Sequence, residues 1–378
     1  MELLAPAGSP EALQAAVQAG ADAVYLGFGP LNARRNAKNF TREQLEEGVA
    51  YCHLRGVKVY LTLNTLLFDR ELDTAAQAGA LASDLGVDAV LVQDLGVAKL
   101  LRQTCPGLPL HASTQMTVHS LDGILACAEL GITRVVLPRE MPAEAIRALC
   151  QASPLEIEVF GHGALCMCYS GQCTLSAVLG GRSGNRGACA GPCRLPFDAS
   201  PNLRPGQPGR ACHLSLKDMD YIPHLRELMD AGVASVKIEG RLRTPEYAAA
   251  VVTACRAVCA GQPYDEKLVR DIFSRSGFTD GYLTNRNDGK MFGVRTEADA
   301  EATRAATPKA RELFRRELQR VPVRYTVSGG VEDGGVKLTA ADADGHKVIV
   351  YSADEPQPAQ KDPLPGVERA LGKTGGTP

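Results

Sequence analysis

A chain of 378 residues, 45% hydrophobic and 22% charged, can bury one large core or two ordinary ones and reads as a soluble globular protein. It has no run of about 18 apolar residues, and its start, MELLAPAGSPEAL, lacks the basic and apolar regions of a signal peptide, so neither a membrane span nor secretion is expected and the chain reads as cytoplasmic. A formal net charge of -2 supplies no global field for nucleic acid, so RNA contact would rest on local patches, and 12 cysteines in a reducing compartment point to metal or redox chemistry rather than disulfides.

ELLAP (2–6) is the first candidate strand, followed by SPEALQAAVQAG (9–20), a helical pattern with Ser9 as N-cap. A glycine, a small or branched residue and an apolar run ending in a polar residue then recur. They appear as GADAVYLGF (20–28), GVKVYLTLN (56–64), GVDAVLVQD (86–94), GITRVVLPRE (131–140) and GVASVKIEGR (232–241). Glycine in this position closes a helix, and the nearly continuous Val/Ile/Leu run suits a parallel strand buried on both faces. LPLHAST (108–114) and LEIEVFGH (155–162) complete eight strands, and TREQLEEGVAYCHLRG (41–56) is a helix capped by Thr41. Eight strand–helix units predict an α/β fold, a (β/α)8 TIM-like barrel, with an open doubly wound sheet as the alternative.

A barrel places its active site at the C-terminal ends of its strands. Those ends carry Asn64, Gln93, Asp94, Thr114, Gln115, Arg139, Glu140, His162, Lys237, Glu239 and Arg241. Lys237 and Glu239 are two apart and share a face, while Val236 and Ile238 point the other way. Such a pair is either a structural ion pair or, with Arg241, a positive group for an anionic substrate. Lys237, Glu239, Arg241 and His162 form the candidate catalytic set.

The seventh strand leads into a long loop (163–231), and loops of that length are usually functional or disordered. It contains Cys166, Cys168, Cys173, Cys189, Cys193 and Cys212, and between 182 and 210 it sets Arg182, Arg186, Arg194, Arg204 and Arg210 against Asp198 alone. The cysteine spacing lacks the short paired knuckles of structural zinc sites. Thiolates on a Gly-rich loop suit an iron-sulfur cluster, although spacing alone leaves zinc open. Arg182, Arg186 and Arg194 are candidates for RNA phosphates or for balancing cluster charge. Cys52, Cys105, Cys127, Cys150, Cys255 and Cys259 read as small buried hydrophobes.

Beyond the barrel (1–262), residues 263–321 form a helical extension. In it TPKARELFRRELQR (307–320) is a helix whose basic residues either face solvent or touch RNA. From 322 the period changes to two, in VPVRYTVSG, GVKLTAADADG and KVIVYSAD, so 322–378 reads as the start of an antiparallel β domain, expected to be incomplete.

EVFGHGALCMCYSGQCTLS (158–176), GGRSGNRGACAGPCRLP (180–196), LSLKDM (214–219), KIEGRLRTPEYAA (237–249), ELLAPAGSPEAL and NARRNAKNF (32–40) together resemble the U-32 peptidase, or collagenase-like, family across most of the chain. SGFTDGYL (276–283) and GKTGGTP (372–378) resemble its long-form branch, which makes 5-hydroxycytidine in 23S rRNA. The resemblance implies a barrel, a 4Fe-4S cluster on Cys166, Cys173, Cys189 and Cys193, and oxygen-independent hydroxylation of an RNA base with prephenate as cosubstrate. Cytidine of 23S rRNA is the first expectation and the wobble uridine of tRNA the alternative. Partners implied are RNA, a small dicarboxylate and the iron-sulfur assembly machinery. Cys168 departs from the signature, and Cys212 competes with Cys193 as fourth ligand. The older family label, peptidase, would require Ser176 or Cys166 to be activated by His162, with no third group marked, and no H-E-x-x-H occurs. A zinc-stapled binding module is a third possibility, which a polar barrel mouth does not suit.

Overall fold

The computed structural model describes residues 1–33, 39–200, 209–240, 242–315, 323–330, 335–343, 345–352 and 361–371. Eight strands form the centre: β1 (Glu2–Pro6), β2 (Ala23–Gly27), β3 (Lys58–Leu63), β4 (Ala89–Val92), β5 (Leu110–Ala112), β6 (Ile132–Val136), β7 (Glu156–Ala164) and β8 (Ser235–Ile238). Each is parallel to its neighbours in chain order, and β8 pairs with both β7 and β1. This closure makes the sheet a barrel and rules out the open alternative. The strands read as apolar runs because side chains on one face fill the barrel and those on the other meet helices.

The predicted helix signals act as read. Ser9 Oγ accepts the Ala12 N–H at 3.2 Å, and Thr41 and Gln44 cap each other reciprocally at the start of Arg42–His53. Gly131 (φ +73) shows why a glycine closes these helices: the chain leaves the helix through a left-handed backbone that a Cβ would strain.

The end of the barrel opposite the mouth is closed by charge. Arg134 Nη1 reaches Glu2 at 2.6 Å and Glu158 at 3.2 Å, and its Nη2 meets Glu156 at 2.7 Å. Tyr60 donates its hydroxyl to Glu2 at 2.7 Å. Burial pushes the Glu2 carboxyl up, but the hydrogen bond and charge of Arg134 outweigh it and hold it below the usual range.

Residues 1–314 form one compact unit that includes much of the expected extension. Helices Glu266–Ile272 and Glu297–Arg311 pack on Pro245–Cys259. The second begins at Glu297 rather than at Thr307, because Thr296 caps it through Asp299 and it runs through Pro308. Lys309 pairs with Asp265, and Arg311 Nε meets Glu246 at 2.7 Å. These two cations serve the packing of the extension. Among the described residues no helix is long and apolar enough to cross a membrane. The second unit, 315–378, contains the expected antiparallel sheet, Arg324–Gly330, Gly335–Ala341 and Lys347–Tyr351, and a short helix, Leu364–Leu371.

Candidate active site

The long loop crosses the mouth and is tied to three strand ends. The Leu66 N–H beyond β3 donates to Asn185 O at 3.1 Å, and Thr117 Oγ1 beyond β5 donates to Ser170 O at 2.8 Å. Glu140 beyond β6 accepts from the Ser170 backbone and hydroxyl at 2.8 and 3.0 Å. Gly171 (φ +80) passes so close to β5's end that a Cβ would lie 2.3 Å from Gln115 O. Beneath the loop is a cavity of about 170 Å³ lined by Tyr25, Asn64, Arg139, Tyr169, Lys237 and Glu239 together with Cys166, Cys173 and Cys189.

Lys237 and Glu239 share the cavity face as their spacing predicted, but they take different partners. Lys237 Nζ lies 3.0 Å from Glu158, whose side chain is fully buried between it and Arg134, and 4.4 Å from the centre of the Tyr25 ring. Glu239 Oε2 instead meets Arg139 Nη2 at 2.7 Å, with the guanidinium stacked 3.7 Å over Phe160. Glu158 is therefore the carboxylate that positions Lys237. Arg241 lies outside the described residues.

Cys166 and Cys189 are exposed, and Cys168, Cys173, Cys193 and Cys212 are half-buried. Burial pushes the Cys193 thiol up, the charge of Arg194 opposes it, and the charges of Cys166, Cys189 and Cys173 add to the rise, so the four expected ligands lie near one another. Cys189 Sγ receives the Gly191 N–H at 3.3 Å and the Ser176 hydroxyl at 3.8 Å, donors of the kind that stabilise a ligating thiolate. The Cys168 thiol is pushed up by burial and then by Cys173, to which it hydrogen-bonds. Among the described residues no three His, Cys, Asp or Glu side chains converge on one point as a single ion requires. Thiols presented together on glycine-rich backbone, with hydrogen-bond donors at one sulfur, are a donor set that fits an iron-sulfur cluster.

The loop arginines differ in employment. Arg186 makes two hydrogen bonds to Glu71, at 2.9 and 2.6 Å, holds Glu71's carboxyl at about 2, and stacks 4.3 Å over Phe68. Arg194 donates to Ser215 Oγ at 3.1 Å and to the carbonyls of Leu216 and Leu165. Both fasten the loop to the barrel. Arg182 is exposed, with its Nε on Ala188 O at 3.1 Å.

His162 is placed away from the cavity lining. Phe160 pairs with Lys237 and His162 with Ile238, so Gly161 is an extra residue that reverses which side chains face inward. His162 is fully buried against Tyr247 and Phe278, with Nδ1 2.9 Å from the Tyr247 hydroxyl. That hydroxyl is also 3.0 Å from Glu239 O, which can only accept, so His162 donates from Nδ1. Burial holds the ring neutral, with its pKa lowered to about 3. Ser176 Oγ bonds Cys189 Sγ and accepts the Ala190 N–H, so the Ser176–His162 pairing is not assembled. Two site features escaped the sequence reading. Glu158 sits within the motif but shows no sign there of pairing with Lys237, and Tyr169, 71% exposed at the cavity, looks like any loop aromatic.

Residues 8–292 match the sequence profile of peptidase family U32. Among curated proteins, a 23S rRNA 5-hydroxycytidine synthase of Escherichia coli (strain K12) is 42% identical over 252 residues, 65% of this chain and 37% of that protein. The tRNA hydroxylation protein P1 of Bacillus subtilis (strain 168) is 36% identical over 263 residues, 68% of this chain and 62% of that protein. A collagenase of Porphyromonas gingivalis (strain ATCC BAA-308 / W83) is 36% identical over 318 residues, 76% of this chain and 75% of that protein. The chain thus spans less than two thirds of the length of the first two relatives.

Proposed function

The chain belongs to peptidase family U32, and from that premise we propose that it acts in hydroxylation of an RNA base, with cytidine of 23S rRNA as the target and tRNA uridine as the alternative. The observation that carries this reading is the convergence of Cys166, Cys173 and Cys189 with Lys237 on one cavity at the barrel mouth. Cys166, Cys173, Cys189 and Cys193 would hold a 4Fe-4S cluster, loaded by the iron-sulfur assembly machinery, and the cluster would supply one-electron chemistry beside the cavity. A prephenate-like dicarboxylate would find Lys237 as a point charge and the Arg139 guanidinium as a planar partner. Glu158 and Glu239 position these two cations, and Arg241 remains a further candidate. An unstacked base would enter past Tyr169, because chemistry on a base requires it to leave the helix.

Peptidase activity has less support from the geometry. A nucleophile needs a base within hydrogen-bond reach, and His162 is buried on Tyr247 while Ser176 is engaged with Cys189. The test is nucleoside mass spectrometry of ribosomal and transfer RNA from a strain lacking the protein. Loss of one 5-hydroxypyrimidine, restored by the wild-type gene and not by Lys237→Met, is expected. Unchanged nucleosides in both RNA pools would overturn the reading.

A further inference from the structure

A second cavity, of about 410 Å³, adjoins the first and shares Ala33, Cys189 and Glu239 with it. Among the described residues its other charged groups are Arg243 and Arg275. Arg275 Nη1 bonds Asp218 Oδ1, and Arg243 Nη2 lies 3.8 Å from that same oxygen. Both guanidinium groups face the Phe273 ring, with Arg243 Cζ 3.3 Å and Arg275 Cζ 5.2 Å from its centre. Their side chains are only 21% and 16% exposed, and that of Asp218 is 2% exposed.

Among the described residues, cations outnumber acids around Asp218. Arg243 and Arg275 share its one carboxylate, and Glu239, the other acid among the described residues on this cavity, is bonded to Arg139 while its charge also acts on Arg243. Arg194 stands close enough for its charge and that of Arg275 to oppose each other, and it draws on the same Asp218. Two cations held together with little access to water repel each other, and an anion between them relieves that cost. The rim is open as well: Gly191 borders the cavity, and a Cβ built on it would meet nothing within 4 Å.

We propose that the Arg243–Arg275 cavity binds an oxyanion, namely the phosphate of a nucleotide next to the base that enters the barrel mouth. The assignment rests on the RNA reading above. Guanidinium pairs suit phosphate because their planar forks match its oxygens, and the shared wall sets this phosphate beside the cavity that would take the base. A carboxylate of the small cosubstrate has the same oxyanion chemistry, so the experiment separates the two.

Binding of a short single-stranded RNA to the full, cluster-loaded chain is measured across a salt series for wild type, R243Q/R275Q and R243K/R275K. The Gln pair should bind more weakly, with a log K against log salt slope shallower by about one to two units, and the Lys pair should keep most of the slope. A Gln variant with wild-type melting and an unchanged slope overturns the proposal. Should that variant fail to fold, the wild type decides: inorganic phosphate must displace the RNA better than chloride at equal ionic strength, and equal displacement overturns it. Displacement by prephenate and not by phosphate would give the cavity to the cosubstrate and overturn the phosphate assignment. If the wild type binds inorganic phosphate, the Gln pair does not, and neither binds RNA, the oxyanion site stands and the RNA reading fails.

Discussion

Cysteines of the barrel wall and cysteines of the loop that crosses its mouth have opposite surroundings. Cys52, Cys127 and Cys255 lie on helices Arg42–His53, Leu121–Glu129 and Pro245–Cys259 and are buried. Burial pushes the thiols of Cys127 and Cys255 up, and that of Cys52 to about 12, so they stay protonated and behave as small apolar groups. Cys166, Cys173, Cys189 and Cys193 sit exposed or half-buried on glycine-rich backbone, near enough to affect one another, and Cys189 receives two hydrogen bonds at sulfur. The same side chain is packing on a helix and a candidate ligand on a loop. Cysteine chemistry follows the backbone that presents the thiol.

The strongest way to break this contrast is substitution. Anaerobically purified wild type should be brown with about four irons per chain, and serine at Cys166, Cys173, Cys189 or Cys193 should abolish the visible absorbance. Cys255→Ser should keep the iron and lower stability by about 1–3 kcal/mol, the cost of a buried hydroxyl. Cys168→Ser should keep the colour. Bleaching by Cys212→Ser but not by Cys193→Ser would replace one ligand, and colourless wild type with one zinc would remove the cluster.

Lys237 tests whether the barrel side of the mouth is as functional as the loop side. Lys237→Met should retain the iron and abolish hydroxylation, read by nucleoside mass spectrometry. Because Glu158 keeps Arg134, the stability loss in urea should be about 1–3 kcal/mol, below that of a fully stranded carboxylate. Adding Glu158→Gln should recover stability without recovering activity. If K237M loses iron and fold together, the pair is structural only.

Tyr169→Ala should weaken single-stranded RNA binding by about 1–3 kcal/mol, the worth of one base stack, with melting unchanged because the ring is 71% exposed. His162 gives a pH signature confined to the barrel side. Its folded pKa of about 3 lies below its value in the unfolded chain, so the unfolded state takes up a proton first as pH falls. Its contribution is intact above about pH 6.5, and from there down to about 3 it should drain stability by at most about 1.4 kcal/mol per pH unit. His162→Gln should flatten that slope in urea titrations. Smallest are the loop arginines. Arg186→Ala should lower stability by about 1 kcal/mol, since its Glu71 pair is only partly shielded, and leave the RNA salt slope alone. Arg182→Ala should leave stability alone and make the slope shallower by about one unit. Exchange of these two phenotypes would reverse their roles.

Much of the architecture was legible in the sequence because it is written in local and periodic terms. Gly-closed helices followed by apolar runs marked five of the eight strands and short apolar runs the other three, the caps at Ser9 and Thr41 acted as read, and the period-two segments after 322 became an antiparallel sheet. The loop cysteines were legible as a group because their spacing lies within one segment. What the sequence could not show depends on closure. Lys237 meets Glu158 across 79 positions and Arg139 meets Glu239 across 100, pairings set only when β8 joins β7 and the strand ends form a ring. One extra residue, Gly161, turned His162 from the expected inward face to the helix side, since side chains alternate and a single insertion reverses every residue after it. Arg186 and Arg194 looked like free positive charge in a glycine-rich stretch, and only the folded loop brought Glu71 and the carbonyls of Leu165 and Leu216 within their reach. Which residues carry charge and thiol chemistry, and which segments hold them, is a matter of local sequence. What each meets is fixed by the folded barrel, because a contact between distant segments depends on register and closure, which no local pattern encodes.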